Sequence, residues 1–175
     1  MNRRWLILLS GTSCSGKSTI ARALAKRLST PNRPFLNIEA DQHLPHLPDD
    51  WSNPMFGESL SRALHRSVAA FGDQGFDLIV DGVLPYGDSQ GIADALEIFS
   101  RFRFCYVGVH CDPDILEARE KQRPDRDQGW ARRQLSDLHK GQRYDIEIDT
   151  TGLSPDHNAE LVARYLFDQD ACLPG

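Results

Sequence analysis

Long apolar runs are missing from this chain of 175 residues. No stretch approaches the roughly 20 residues of a membrane span. The opening "MNRRWLILLSG" puts basic residues before an apolar run, but that run, residues 5–9, is short of the roughly 7–15 residues of a secretory signal core. A soluble, cytoplasmic protein without a membrane partner is the expectation. Excess positive charge is missing too: 20 Lys and Arg stand against 25 Asp and Glu, a net charge of −5. Nucleic-acid binding needs a basic footprint, so none is expected. The cysteines, Cys14, Cys105, Cys111 and Cys172, form neither C-x-x-C pairs nor zinc spacing, and are read as reduced thiols. Lysine occurs only at 17, 26, 121 and 140, none of them in the Asn-Lys-x-Asp pattern that reads guanine. Repeats and low-complexity tracts are absent. The 40% hydrophobic and 26% charged residues are ordinary for a globular chain, and residues 1–175 read as one domain.

What is present begins with "GTSCSGKST", residues 11–19. Gly11, Gly16, Lys17 and Ser18 satisfy G-x-x-x-x-G-K-[ST], the phosphate-binding P-loop. Glycines let the backbone curl so that successive N–H groups point at phosphate oxygens, and the following helix adds its positive end. A chance match of all four positions in a chain this long is on the order of one in a hundred. An apolar run before the loop and an amphipathic one after it lower the odds further. The loop Gly11, Thr12, Ser13, Cys14, Ser15, Gly16, Lys17, Ser18 and Thr19 is therefore expected to hold ATP. Lys17 reaches the β- and γ-phosphates, and the Ser18 hydroxyl is a ligand for Mg²⁺. Cys14 contributes backbone, with a thiol open to reaction when nucleotide is absent.

Around this loop, "WLILL" (5–9), 34–41, 77–82, 103–111 and 144–149 read as strands. The last alternates apolar and polar residues, as at a sheet edge. Helical spacing joins Ile20, Leu24 and Leu28; then Leu60, Leu64, Val68 and Phe71; then Ile92, Leu96 and Phe99. Asp112 before Pro113, and Ser154 before Pro155, mark two further helix starts. Strands alternating with helices predict a three-layer α/β fold: five parallel strands with helices on both faces. Segments 42–58 and 120–130 read as irregular, and both should flank the carboxyl ends of the strands, where such folds bind ligands.

Three groups at those ends carry candidate chemistry. Asp81 closes "DLIVD" and suits a carboxylate that holds the metal, or a plain strand-end turn with Gly82. Asp41 closes the second strand; a base for an acceptor hydroxyl and a helix cap are equally good readings of it. Segment 118–133 concentrates Arg119, Lys121, Arg123, Arg126, Arg132 and Arg133. Arg123 and Arg126 flank Pro124 and suit a lid over a transferring phosphoryl group, whereas Arg132 and Arg133 read as a solvated helix face. His43 and His46, in a Pro-rich stretch with Asp41 and Asp49, lack convincing metal-site spacing.

Residues 106–151, "YVGVHCDPDILEAREKQRPDRDQGWARRQLSDLHKGQRYDIEIDTT", resemble the C-terminal half of chloramphenicol phosphotransferase. The shared order is a V-G-V-x-C-D strand, an R-E helix, an R-x-D-R lid and a YD-x-E-x-DTT segment. With the P-loop and Asp41 in matching places, the resemblance covers most of the chain. It implies a nucleotide-kinase-like P-loop fold with an arginine lid, moving the γ-phosphate of ATP to a hydroxyl of a small molecule. It also implies Asp41 as catalytic base, Arg123 and Arg126 as lid arginines, and Arg119 with the DTTGLSP loop, residues 149–155 including Thr151, beside the adenine. Two departures stand out. Gly82 follows Asp81 where the family pattern has a second acid, and 42–58 shows no match, although Trp51, Met55 and Phe56 could line an apolar acceptor site. The acceptor thus stays open: an antibiotic, a nucleotide, a sugar, or the amino-sugar nucleotide of zeta-toxin-like kinases. An ATP-driven switch with no acceptor is the alternative from another class.

Overall fold

The computed structural model describes residues 3–43, 54–123 and 129–171, without the side chains of Asp41, His43, residues 54–57, 170 and 171. Arg126, Trp51 and most of the expected acceptor segment lie outside the described residues, as do the side chains of Met55 and Phe56. Five strands form one parallel sheet: β1 (Trp5–Ser10), β2 (Phe35–Glu39), β3 (Asp77–Gly82), β4 (Arg103–His110) and β5 (Ile146–Asp149). Their spatial order is β2-β3-β1-β4-β5. Every residue of β1 and β3 is buried, which is why these central strands read as unbroken apolar runs. The alternating β5 lies at an edge, as its pattern predicts.

Period-two geometry divides β1 between two cores. Trp5, Ile7 and Leu9 pack with Ile20, Ala21 and Leu24 of α1 (Lys17–Leu28) and with Ala159, Val162, Ala163 and Leu166 of α7 (Pro155–Ala171). Leu6 and Leu8 face Val68 and Ala69 of α3 (Pro54–Asp73) and Ala95 and Phe99 of α4 (Ser89–Phe99). Two shorter helices, α5 (Pro113–Lys121) and α6 (Trp130–Leu135), pack together near the end of β4 and enclose Cys111, Leu116 and Ala131. Asp112 caps α5 by accepting from the Asp114 N–H at 2.8 Å, and Ser154 Oγ accepts from the His157 N–H at 3.2 Å at the start of α7.

The structure corrects several boundaries. β2 ends at Glu39, and Asp41 lies in a short helix, α2 (Ala40–His43), not at the strand's last position. The Ala40 side chain packs against β3, where a Cβ on Gly82 would approach it to 3.1 Å. Part of 42–58 is helical, since α3 begins at Pro54, and 120–130 contains the end of α5 and the start of α6. Phe71 and Leu96, placed on apolar helix faces by spacing, are 38% and 41% exposed. Cys14, Cys105 and Cys111 are free thiols, and burial pushes Cys105 up to about 12. No helix among the described residues is long and apolar enough to cross a membrane.

Candidate active site

The cleft at the carboxyl ends of β1, β3 and β4 encloses about 1340 Å³. Its floor is the loop between β1 and α1. Gly16 takes φ +93°, in the left-handed region where glycine carries no steric penalty. Gly11 is required by proximity: a Cβ there would lie 2.5 Å from the Val109 carbonyl oxygen of β4. Cys14 also sits at positive φ, +62°, an uncommon conformation for a residue with a side chain.

Three residues from distant elements hold consecutive members of this loop. Gln134 of α6 accepts the Ser13 N–H through Oε1 at 2.8 Å. Arg119 of α5 donates to the Cys14 carbonyl at 3.3 Å, and Thr150, just past β5, donates its hydroxyl to the Ser15 carbonyl at 2.7 Å. Arg119 also donates to the Thr150 carbonyl at 2.9 Å, so the loop and the end of β5 are tied through one guanidinium. These tethers hold the backbone curl, and with it the strained Cys14.

Above the loop, Lys17 Nζ donates to the carbonyls of Gly11 and Thr12 at 2.8 and 2.9 Å, with Asp81 Oδ1 at 3.8 Å. Ser18 donates its hydroxyl to the Asp81 carboxylate. A primary ammonium, a hydroxyl and a carboxylate therefore meet where the loop opens into the cleft. The opposite wall is built by α3 and the end of β3: Leu60, Ser61, Leu64 and His65 face Val83 and Pro85. His65 is 7% exposed, and burial lowers its pKa below the usual imidazole value.

Of the residues singled out by sequence, Gly11, Ser13, Cys14, Gly16, Lys17, Ser18, Thr19, Asp81, Arg119 and Arg123 line the cleft together. Thr12 and Ser15 are buried and serve through their backbones. Thr151 turns to α5, where its hydroxyl accepts the Asp112 N–H at 2.9 Å, while its neighbour Thr150 lines the cleft. Asp41 belongs to α2, with its side chain outside what the structure describes, and Arg126 lies beyond the described residues. Sequence reading missed Gln134, and it placed Thr150 only as part of the DTTGLSP loop; each makes a hydrogen bond across more than a hundred residues of chain. It also missed Glu120, buried at 1% exposure, whose carboxylate takes the Gly129 and Ala131 N–H groups at 2.6 and 2.9 Å and secures the start of α6. Glu120 is one of three acids in segment 118–133, with Asp125 and Asp127, and no local pattern sets it apart from them.

Residues 5–166 match the family described as chloramphenicol phosphotransferase-like protein. The chain belongs to that family. Proteins of Mycobacterium tuberculosis strains CDC 1551 and H37Rv, each named "Putative O-phosphotransferase", are 33% identical over 126 residues, 70% of this chain and 54% of theirs. The match thus spans about half the length of these curated relatives. Among solved structures, the M. tuberculosis APS kinase CysC in complex with AMPPNP and APS superposes with a TM-score of 0.73 at 19% identity, over 95% of this chain and 99% of that one. A sugar kinase from Janibacter superposes at 0.66 with 18% identity, over 98% and 99%. At such identities the likeness is one of fold, here the α/β fold of P-loop kinases.

Proposed function

We propose that this protein is an O-phosphotransferase that moves the γ-phosphoryl group of ATP to a hydroxyl of a small molecule. The observation that carries the reading is the convergence of Lys17, Ser18 and Asp81 on a loop whose backbone is tethered from three sides. Family membership and the kinase fold support the reaction class.

On ATP binding, Lys17 exchanges its two loop carbonyls for β- and γ-phosphate oxygens. Loop N–H groups and the start of α1 take the remaining phosphate charge. The Ser18 hydroxyl and Asp81 carboxylate are hard oxygen donors already in contact, a set that fits Mg²⁺ directly or through water. When bound, Mg²⁺ supplies charge neutralisation between the phosphates. Arg123 from the cleft edge, and Arg126, add guanidinium donors to the transferring group. Asp41 orients the acceptor hydroxyl and takes its proton as the oxygen attacks phosphorus in line with the departing ADP. The wall of Leu60, Leu64, Val83 and Pro85, broken by Ser61 and His65, suits an acceptor with one apolar face.

Incubation with γ-labelled ATP and Mg²⁺ tests this against chloramphenicol, aminoglycosides, nucleosides and sugars, with Asp41→Asn as control. Label on one acceptor, reduced about 10²–10⁴-fold in the variant, is expected. Release of free phosphate alone, equal in both proteins, would replace the transferase with an ATP-driven switch.

A further inference from the structure

The side chain of Gln134 is held at one end only. Its Oε1 accepts the Ser13 N–H at 2.8 Å, and because a backbone N–H requires an acceptor, this bond decides which end of the amide is oxygen. The other end, Nε2, carries two hydrogens and has no hydrogen-bond partner among the described residues. Gln134 is half-buried and lines the cleft, so those hydrogens stand beside the phosphate loop. Their position along the loop is informative. Lys17 Nζ rests on the carbonyls of Gly11 and Thr12, immediately before Ser13, and a P-loop lysine serves the β- and γ-phosphates. The Gln134 amide is therefore anchored at the end of the loop where the lysine gathers the terminal phosphates. Arg119 bonds the next carbonyl, that of Cys14, and is committed to the loop and Thr150.

From this juxtaposition we propose that Gln134 is a catalytic residue, its Nε2 amide donating to an oxygen of the γ-phosphoryl group while Ser13 holds its Oε1. The inference rests on the phosphoryl-donor reading of the loop. A neutral donor locked at one end loses little rotational freedom on contact, and it adds a hydrogen bond where negative charge gathers as phosphoryl transfer proceeds. It also lets the site distinguish ATP from ADP without another cation.

The test needs no acceptor. Calorimetric titration of the full chain with Mg²⁺·ADP and Mg²⁺·AMPPNP compares wild type with Gln134→Met, which keeps length and neutrality but removes the amide. The expected result is an AMPPNP affinity weakened roughly 10- to 100-fold, with ADP affinity changed less than about threefold, as for a hydrogen bond to a charged group. Equal weakening for both nucleotides overturns the proposal and leaves Gln134 as a support for the loop. So does no weakening at all. Should the variant fold poorly, the Gln134 side-chain amide signal in ¹⁵N-labelled wild-type protein decides. Movement with AMPPNP but not ADP supports the contact, and the same response to both removes it. If wild type binds neither nucleotide, the donor reading falls first and takes this inference with it.

Discussion

One strand, β3, begins on an aspartate and carries another next to its last residue, and its two ends behave differently. Asp77, at the amino end, is wholly buried; it accepts the Trp5 N–H at 2.8 Å and a bidentate pair from Arg33 at 2.6 and 3.0 Å, with Arg4 at 3.5 Å. Asp81, at the carboxyl end, is 9% exposed and meets the Ser18 hydroxyl and the Lys17 ammonium. The Asp77 partners include a backbone group and a planar fork that match a carboxylate permanently. The Asp81 partners sit on the phosphate loop and can be traded for phosphate or metal. Identical side chains on one strand thus serve architecture at one end and exchangeable chemistry at the other, because parallel strands all release their loops at the carboxyl end.

The sharpest way to break this contrast is to neutralise the exchangeable carboxylate. Asp81→Asn should cut phosphoryl transfer about 10²–10³-fold while leaving the melting temperature nearly unchanged. A variant that melts early but turns over normally would make Asp81 structural. The converse is Asp77→Ala, which strands the Trp5 N–H in the sheet and frees arginines that can turn to water. A loss of about 3 kcal/mol is expected. At roughly 2–4 °C per kcal/mol for a chain this size, thermal melting should show a drop near 10 °C, with nucleotide affinity of the folded protein intact.

Acid should also strain the carboxyl end first. His139 bonds the Tyr144 hydroxyl at 2.8 Å, and burial, then the neighbouring His110, lowers it to about 4; His65 is lowered by burial alone. An imidazole with a depressed folded-state pKa takes its proton first in the unfolded chain. Stability is therefore fully present above about pH 6.5 and declines as pH falls toward 4. Asp73 and Asp149, whose pKa values are lowered by Arg101 and Thr151, lose their contributions only at still lower pH, so the windows separate. Melting curves between pH 7 and 4.5 should slope less steeply in His139→Gln; an identical slope would discharge His139. The smallest expected effect is Thr150→Val, which removes the tether to Ser15. A loss of about 1 kcal/mol should weaken ADP binding somewhat under tenfold, measured by titration.

Features whose cause lies within a few residues were legible in the chain. The phosphate loop, the buried central strands, the edge character of β5 and the starts of α5 and α7 all follow from spacing, burial pattern and caps. Boundaries set by packing were not. β2 stops two residues short of Asp41, and α2 begins where Ala40 packs against β3. Spacing also put Phe71 and Leu96 on apolar faces, yet they remain 38% and 41% exposed.

The sequence by itself determined that a glycine-rich turn with a lysine and a hydroxyl follows a buried strand, because backbone curvature and periodicity are local properties. Only the tertiary structure decided that Gln134, Arg119 and Thr150 grip Ser13, Cys14 and Ser15 in succession. Hydrogen bonds act over about 3 Å in space, and no pattern along the chain encodes which distant side chain will arrive at that distance.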